Sequence, residues 1–285
     1  MTRRIFLSTP LRDEIDNIDR LFSAVAIQDY PIDLWVIVEN GSTDGSREKL
    51  AAIEPPKNVK ELVVLNEDTE KGEYALGSKY ARVVNRGFEE IKARRELGDE
   101  DLIGILDADS FPDRGYYRTL AEAFDADPKI GIAGGTSVEE DGRETIHAAD
   151  WVRGSCRLWR GACMKQSGYI VGPSADTLSL GRAELDGWKS KVVEEASFQA
   201  REVGTRSKQQ YYGASTHYRG HTVLYALLFG SKFVRRGQMA EARAFWRGYF
   251  GAMKESAPRL DDTALRAHFR RTVPRKLKKR LGLAA

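Results

Sequence analysis

With 285 residues and 32.0 kDa, 41% hydrophobic and 31% charged, the chain has the composition of a globular protein with room for a full core, which excludes a disordered or membrane-spanning chain. No apolar stretch approaches the roughly 20 residues needed to cross a bilayer. The net charge of +3 is too small to argue for nucleic acid, and the start Met1-Thr2-Arg3-Arg4, directly before a strand-like run, is expected to be too brief for a secretion signal.

In chain order, Ile5-Phe6-Leu7-Ser8 predicts a strand, and Ile15, Ile18, Leu21, Phe22 and Val25 recur at helical spacing after it. A second strand is expected over 34–38, and Ser42-Thr43-Asp44 then offers N-cap chemistry for a helix ending before Pro55-Pro56. A third strand over 61–65, a long helix over 74–97, a fourth strand over 102–106 and a fifth over 130–133 continue the alternation. That pattern argues for a largely parallel sheet covered by helices on both faces, with ligands beyond the carboxyl ends of the strands. Pro10, Glu39 and Asp107 then share one rim. The second half is less regular: a helix over 148–166, a glycine-rich segment over 168–172, a strand over 177–180, and helices over 194–203, 223–236 and 239–254.

The chemistry concentrates at strand ends. Asp107-Ala108-Asp109-Ser110 closes the apolar run Leu102-Ile103-Gly104-Ile105-Leu106 and puts two carboxylates at the sheet rim. Hard oxygen ligands of this kind suit Mg²⁺ or Mn²⁺, which keep open positions for phosphates; an acidic turn that caps the next segment is the plain alternative. The run Trp35-Val36-Ile37-Val38-Glu39-Asn40-Gly41-Ser42-Thr43-Asp44 likewise ends a strand in an acid, an amide and a glycine. Glu39 there can accept hydrogen bonds from a base or a ribose hydroxyl, and Gly41 lets a ligand approach the backbone.

Together with Ser8-Thr9-Pro10-Leu11-Arg12-Asp13-Glu14, these segments resemble the family-two glycosyltransferases of the GT-A fold, over roughly 4–220. The resemblance implies a GT-A domain over 1–220, with a nucleotide half to about 110 and an acceptor half after it, followed by a helical extension over 221–285 with a basic tail. It implies an inverting transfer from a nucleotide-diphosphate sugar, assisted by Mn²⁺ or Mg²⁺, to a glycan or lipid-linked acceptor, as in surface polysaccharide assembly. Pro10, Arg12, Glu14, Glu39, Asn40 and Ser42 would line the nucleotide pocket, with Asp107 and Ala108 at the ribose and Asp107 and Asp109 on the ion. The family usually has Asp where Glu39 stands. Lys71-Gly72 and a helix bearing Lys79, Arg82 and Asn85 fit the stretch that meets base or diphosphate, although a solvated helix face fits them equally.

By the same resemblance Glu195 takes the position of the general base, with Glu194 beside it, at the N-terminus of the expected helix after Leu185-Asp186-Gly187-Trp188; simple charge compensation of the helix dipole is the alternative. His217, or else His221, would complete the metal site, and Trp188 would stack on an acceptor sugar or pack in the core. A sugar nucleotidylyltransferase should carry a glycine-rich loop where 7–14 has no glycine. A HAD-type phosphatase should have a hydroxyl residue where Phe111 stands, and a Rossmann oxidoreductase needs a Gly-x-Gly-x-x-Gly after the first strand. A member of the fold that binds nucleotide sugars without turnover is the non-enzymatic alternative. The cysteines, Cys156 and Cys163, read as reduced thiols of a cytosolic protein. The tail Arg275-Lys276-Leu277-Lys278-Lys279-Arg280 is a solvated tail or a contact with the inner, anionic face of a membrane.

Overall fold

Strands buried on both faces read as continuous apolar runs, and the first half of the chain folds accordingly. The computed structural model describes residues 3–67, 78–138, 151–200 and 206–280. Contacts divide the chain into two compact units, Met1–Glu202 and Val203–Ala285.

The first unit begins with β1 (Ile5–Leu11), α1 (Ile18–Ala26), β2 (Leu34–Asn40), α2 (Ser46–Ala52), β3 (Leu62–Glu67), α3 (Ser78–Arg94) and β4 (Leu102–Leu106). It continues with β5 (Ser110–Pro112), α4 (Tyr116–Ala126), β6 (Ile130–Val138), β7 (Cys156–Arg160), α5 (Gly161–Ser167), α6 (Ala175–Leu185) and β8 (Lys189–Ala200). The strands form one sheet in the order β3-β2-β1-β4-β7-β6-β8-β5. β1 is parallel to both β2 and β4, β2 to β3, and β6 to β8, whereas β7 and β5 run antiparallel to their neighbours. Alternation along each strand feeds two cores. Ile5, Leu7, Trp35 and Ile37 pack with Leu21, Val25, Leu120 and Phe124 on one side; Phe6, Val36 and Val38 pack with Val84, Phe88 and Ile91 on the other. On that second side α3 lies directly on β1, because a Cβ at Gly87 would fall 2.1 Å from Ser8 Oγ.

Several expected elements differ in the second half. The described part of the helix expected over 148–166 instead holds a buried strand, β7, followed by a short helix, α5. The charged heads that break the apolar pattern there are neutralised inside: Arg157 Nη2 donates to Asp176 Oδ1 (2.8 Å), and Arg160 donates to the carbonyls of Ile130 and Phe124 and pairs with Glu100. Residues 177–180, expected as a strand, lie in α6, whose buried set includes Ala175, Leu178, Ser179 and Ala183. The helix expected over 194–203 is β8 as far as it is described; pairing with β6 and β5 overrides the helix propensity of Glu and Ala.

The second unit is helical: α7 (Arg206–Tyr218), α8 (Val223–Arg235), α9 (Met239–Lys254), α10 (Thr263–Arg270) and α11 (Thr272–Arg280). Helix α7 meets α9 backbone to backbone. A Cβ at Gly213 would lie 1.9 Å from the Phe245 carbonyl oxygen, and one at Gly248 would lie 1.8 Å from that of Gln210. Ala226, Phe245 and Tyr249 form the centre of this unit, with Phe229, Phe233, Trp246 and Phe250 around them.

Candidate active site

The loops after β1 and β2 are tied together before any ligand arrives. Ser42 Oγ accepts from the Asp13 N–H (2.9 Å), Ser46 Oγ from the Glu14 N–H (3.0 Å), Asp44 Oδ2 from the Ile15 N–H (2.9 Å) and Asp13 Oδ1 from the Thr43 N–H (2.7 Å). Burial alone would raise the Asp44 carboxyl, but hydrogen bonds from Ser46 and the Ile15 N–H outweigh it and hold the group below its usual range. Glu39 is completely buried: Oε1 accepts from the Ser42 N–H (2.5 Å) and Oε2 from Arg47 Nε (2.6 Å). A Glu in place of the family's Asp reaches the next loop and anchors its first turn. Asn40 is buried beside it, Pro10 and Glu14 are half-buried, and Arg12 is exposed with its guanidinium 3.5 Å from Asp13.

One strand away, β4 delivers the acidic pair. Asp107 and Asp109 are half-buried with Ala108 buried between them. The Asp107 N–H donates to the Ser155 carbonyl (2.7 Å), which fixes the turn. Asp107 Oδ1 accepts from the hydroxyl of Tyr80 on α3 (2.6 Å). Burial, then the Asp109 charge, push the Asp107 carboxyl well above its usual range; Asp176 adds to the rise, while Tyr80 and Arg153 oppose it. Tyr80, Arg153 and Asp176 escaped the sequence reading. Tyr80 stands one residue after Lys79 on α3, and Asp176 lies in the first turn of α6.

Lys79, Arg82 and Asn85 all lie on α3, and Arg82 and Asn85 line a shallow cleft of about 280 Å³ with Val38, Glu67 and Arg86. Asn85 Nδ2 donates to Glu89 Oε1 (2.7 Å). Lys71-Gly72 falls outside the described residues.

Glu194 and Glu195 are not at a helix N-terminus, so the dipole argument for them does not hold. They occupy an irregularity of β8. The β6–β8 register runs Gly135↔Val193 and then Thr136↔Ser197, which leaves Glu194, Glu195 and Ala196 unmatched, with both carboxylate side chains exposed. Bulges of this kind re-aim side chains at sheet ends. The bulge presses its backbone on β6, because a Cβ at Gly135 would fall 2.1 Å from the Ala196 carbonyl oxygen. Tyr116 closes the gap between the diverging β6 and β7: its hydroxyl accepts from the Gly135 N–H (2.9 Å) and donates to the Cys156 carbonyl (2.7 Å). Beyond the bulge β8 pairs with β5, and Ser110, the residue after Asp109, faces Ala200. The sheet therefore draws the acidic pair and the bulge toward one end.

Trp188 sits at the other end of β8. It precedes the first residue of the strand and packs on the second core, and its Nε1–H donates to Gln166 Oε1 (2.9 Å). That placement is the core alternative for Trp188. His217 and His221 belong to the second unit. His217 is buried beside Arg259, whose Nε lies 3.4 Å from its Nε2, and burial followed by the Arg259 charge lowers the imidazole below its ordinary 6.5. A cation at Nε2 would have to displace that guanidinium. His221 stacks on Tyr225 at 3.9 Å. Among the described residues no group of three or more His, Cys, Asp or Glu side chains could hold a metal.

No curated protein matches the sequence. Among solved structures the chain resembles S. aureus TarS 1-349 in complex with UDP (15% identity, TM-score 0.54), covering 74% of this chain and 63% of that one. The chain therefore spans less than two thirds of that TarS chain. A second TarS 1-349 structure, in complex with UDP-GlcNAc, aligns at 14% identity and TM-score 0.60 over 98% of this chain and 92% of that one. Mannosyltransferase PcManGT from Pyrobaculum calidifontis, in complex with GDP-Man and Mn²⁺, aligns at 16% identity and TM-score 0.54 over 98% and 81%. At such identities the likeness carries the fold, which is GT-A. The sequence itself matches Glycosyl transferase family 2 over residues 8–187, more than half of its length, from the first rim strand to the turn before β8; the chain belongs to that family.

Proposed function

We propose that the chain transfers a sugar from a nucleotide-diphosphate sugar to an acceptor hydroxyl with inversion at the anomeric carbon. The observation that carries this reading is the joint placement of Asp107, Asp109 and the Glu194–Glu195 bulge by β4, β5 and β8 in a family-two glycosyltransferase. TarS with UDP-GlcNAc and PcManGT with GDP-Man, both of this fold, support a nucleotide-sugar donor. The tied loops after β1 and β2, with Pro10, Arg12, Glu14, Asn40 and Ser42, take the nucleotide, and Glu39 shapes that wall from behind.

Asp107 and Asp109 fit a hard divalent cation, Mn²⁺ or Mg²⁺. Burial and two neighbouring acids strain the ionised form of Asp107, so a positive charge there relieves what the protein alone does not. Mg²⁺ in particular binds through one or two carboxylates, with substrate phosphates completing the shell. When bound, the ion supplies charge stabilisation for the departing diphosphate. Tyr80 holds Asp107 in place for it. Glu195, exposed on its bulge and flanked by Glu194, takes the proton of the acceptor hydroxyl. The hydroxyl oxygen forms its bond to the anomeric carbon on the face opposite the diphosphate as the bond to the diphosphate breaks, and a nucleoside diphosphate leaves.

The acceptor is a glycan or lipid-linked saccharide, and the enzyme works in the cytoplasm against the inner membrane face with help from the basic tail. Two buried free thiols, Cys156 and Cys163, support a reducing compartment. A thermal-shift panel of nucleoside diphosphates with and without Mn²⁺ tests the donor reading. One base should stabilise the protein only with metal, by roughly 2.7 kcal/mol at a hundredfold excess over Kd. A flat panel contradicts it.

A further inference from the structure

The small net charge of the chain conceals a large asymmetry. Val203–Ala285 carries 18 Lys and Arg against 4 Asp and Glu, a net +14, whereas Met1–Glu202 carries 27 against 38, a net −11. Within the basic unit, α8 is apolar on two sides. Ala226, Gly230, Phe229 and Phe233 face the helical core with Phe245 and Trp246. Val223, Leu224, Leu227, Leu228 and Val234 face solvent instead, and Leu224, Leu227 and Leu228 are 56%, 45% and 49% exposed. At helical periodicity these five fall on one arc of about 140°, which Ser231 and Arg235 share toward the C-terminal end of the helix while Lys232 borders it. The charged residues of α8 are Lys232 and Arg235, Arg236 follows at its end, and the helix contains no acid.

A row of exposed leucines is not what a phosphate backbone selects, because nucleic-acid affinity comes from cations and stacked aromatics. A helix with an apolar face, basic flanks and no acid matches the plane between headgroups and acyl chains. At 13 residues α8 is too short to span a bilayer but suits lying along one. Basic α11, with five Lys and Arg and no acid, adds attraction to anionic lipid.

We propose that α8 docks on an anionic membrane surface, its leucine arc inserted below the headgroups and Lys232, Arg235 and Arg236 at their level. The basic tail is then an auxiliary rather than the anchor. The proposal does not rest on the transfer chemistry, and its test reads membrane partition alone.

The full chain is floated with vesicles of phosphatidylcholine mixed with phosphatidylglycerol, and with vesicles of phosphatidylcholine alone. The wild type should float with the anionic vesicles only. The triple change Leu224→Ser, Leu227→Ser and Leu228→Ser should weaken that partition by roughly tenfold or more, with an unchanged circular dichroism spectrum because the three side chains are exposed. The pair Lys232→Glu and Arg235→Glu should weaken it as well, whereas Ile27→Ser, an exposed apolar change in the first unit, should not. Three results overturn the proposal: no flotation of the wild type, flotation that survives the triple change, or light scattering that shows a wild-type dimer converted by the triple change into a monomer. The last would mean that a second copy covers the arc.

Discussion

Gly135→Ala tests whether the bulge of β8 is what aims Glu195. A Cβ at residue 135 would sit 2.1 Å from the Ala196 carbonyl oxygen and 2.6 Å from Tyr116 Cε2, against the 3.4 Å of ordinary contact. Tyr116 cannot withdraw, because its hydroxyl is held by the Gly135 N–H and the Cys156 carbonyl. The bulge therefore has to move, on the order of 1 Å, and Glu195 moves with it. Overpacking of this kind costs about 2 kcal/mol, which for a chain of this size lowers Tm by roughly 4–8 °C. A displacement of about 1 Å at the reacting groups lowers the rate by about 100-fold. The assay is release of nucleoside diphosphate in the presence of acceptor, well below the Tm of every variant, beside Gly213→Ala. That second change creates an equally close clash, 1.9 Å from the Phe245 carbonyl oxygen, in the helical unit. The expected result is comparable destabilisation of both variants, with the large rate loss confined to Gly135→Ala. Full activity of Gly135→Ala, or equal rate losses in both, would refute the reasoning.

Other expectations follow from single contacts. Asp107→Asn should abolish metal-dependent transfer yet raise the metal-free Tm at neutral pH. The raised carboxyl keeps its proton in the folded state at pH values where the unfolded chain has lost it, so stability falls as pH rises through the folded value and the amide removes that loss; a lower Tm contradicts this. Glu39→Gln leaves Arg47 without its buried anion and should cost about 1–3 kcal/mol in urea melts and raise the KM for donor more than it lowers kcat. His217 has its proton affinity lowered by burial and by Arg259, so the unfolded chain binds the proton more readily. The contribution of this group to stability should be present above about 6.5 and be lost as pH falls through the depressed folded value, and His217→Gln should flatten that part of the Tm profile.

The first half was legible because its strands are dense Val, Ile and Leu runs that end at chemistry-bearing residues. β4 ends where its apolar run ends, and the rim shared by Pro10, Glu39 and Asp107 follows from parallel pairing alone. The antiparallel insertion was not legible. β7 hides two arginines whose partners, Asp176 and Glu100, lie far along the chain, so local pattern reads them as a polar helix face. β8 fails for a related reason: Glu194-Glu195-Ala196 has helix propensity, and only pairing across β6 and β5 makes it a bulged strand. Motif order alone points to Glu194 and Glu195, because the strand bulge that carries them has no local signature. Tyr80 has no local signal, because its bond to Asp107 exists only once α3 is laid across β1 and β2.

The claim that organises the rest is proton removal by the bulge carboxylate in a metal-assisted sugar transfer. The direct measurement is steady-state transfer from the nucleotide sugar that stabilises the protein, with Mn²⁺, for wild type and Glu195→Gln. The account expects kcat to fall by about 10²–10⁴ while the KM for donor and the metal-dependent thermal shift stay at wild-type values. Equal kcat for the two proteins would contradict it.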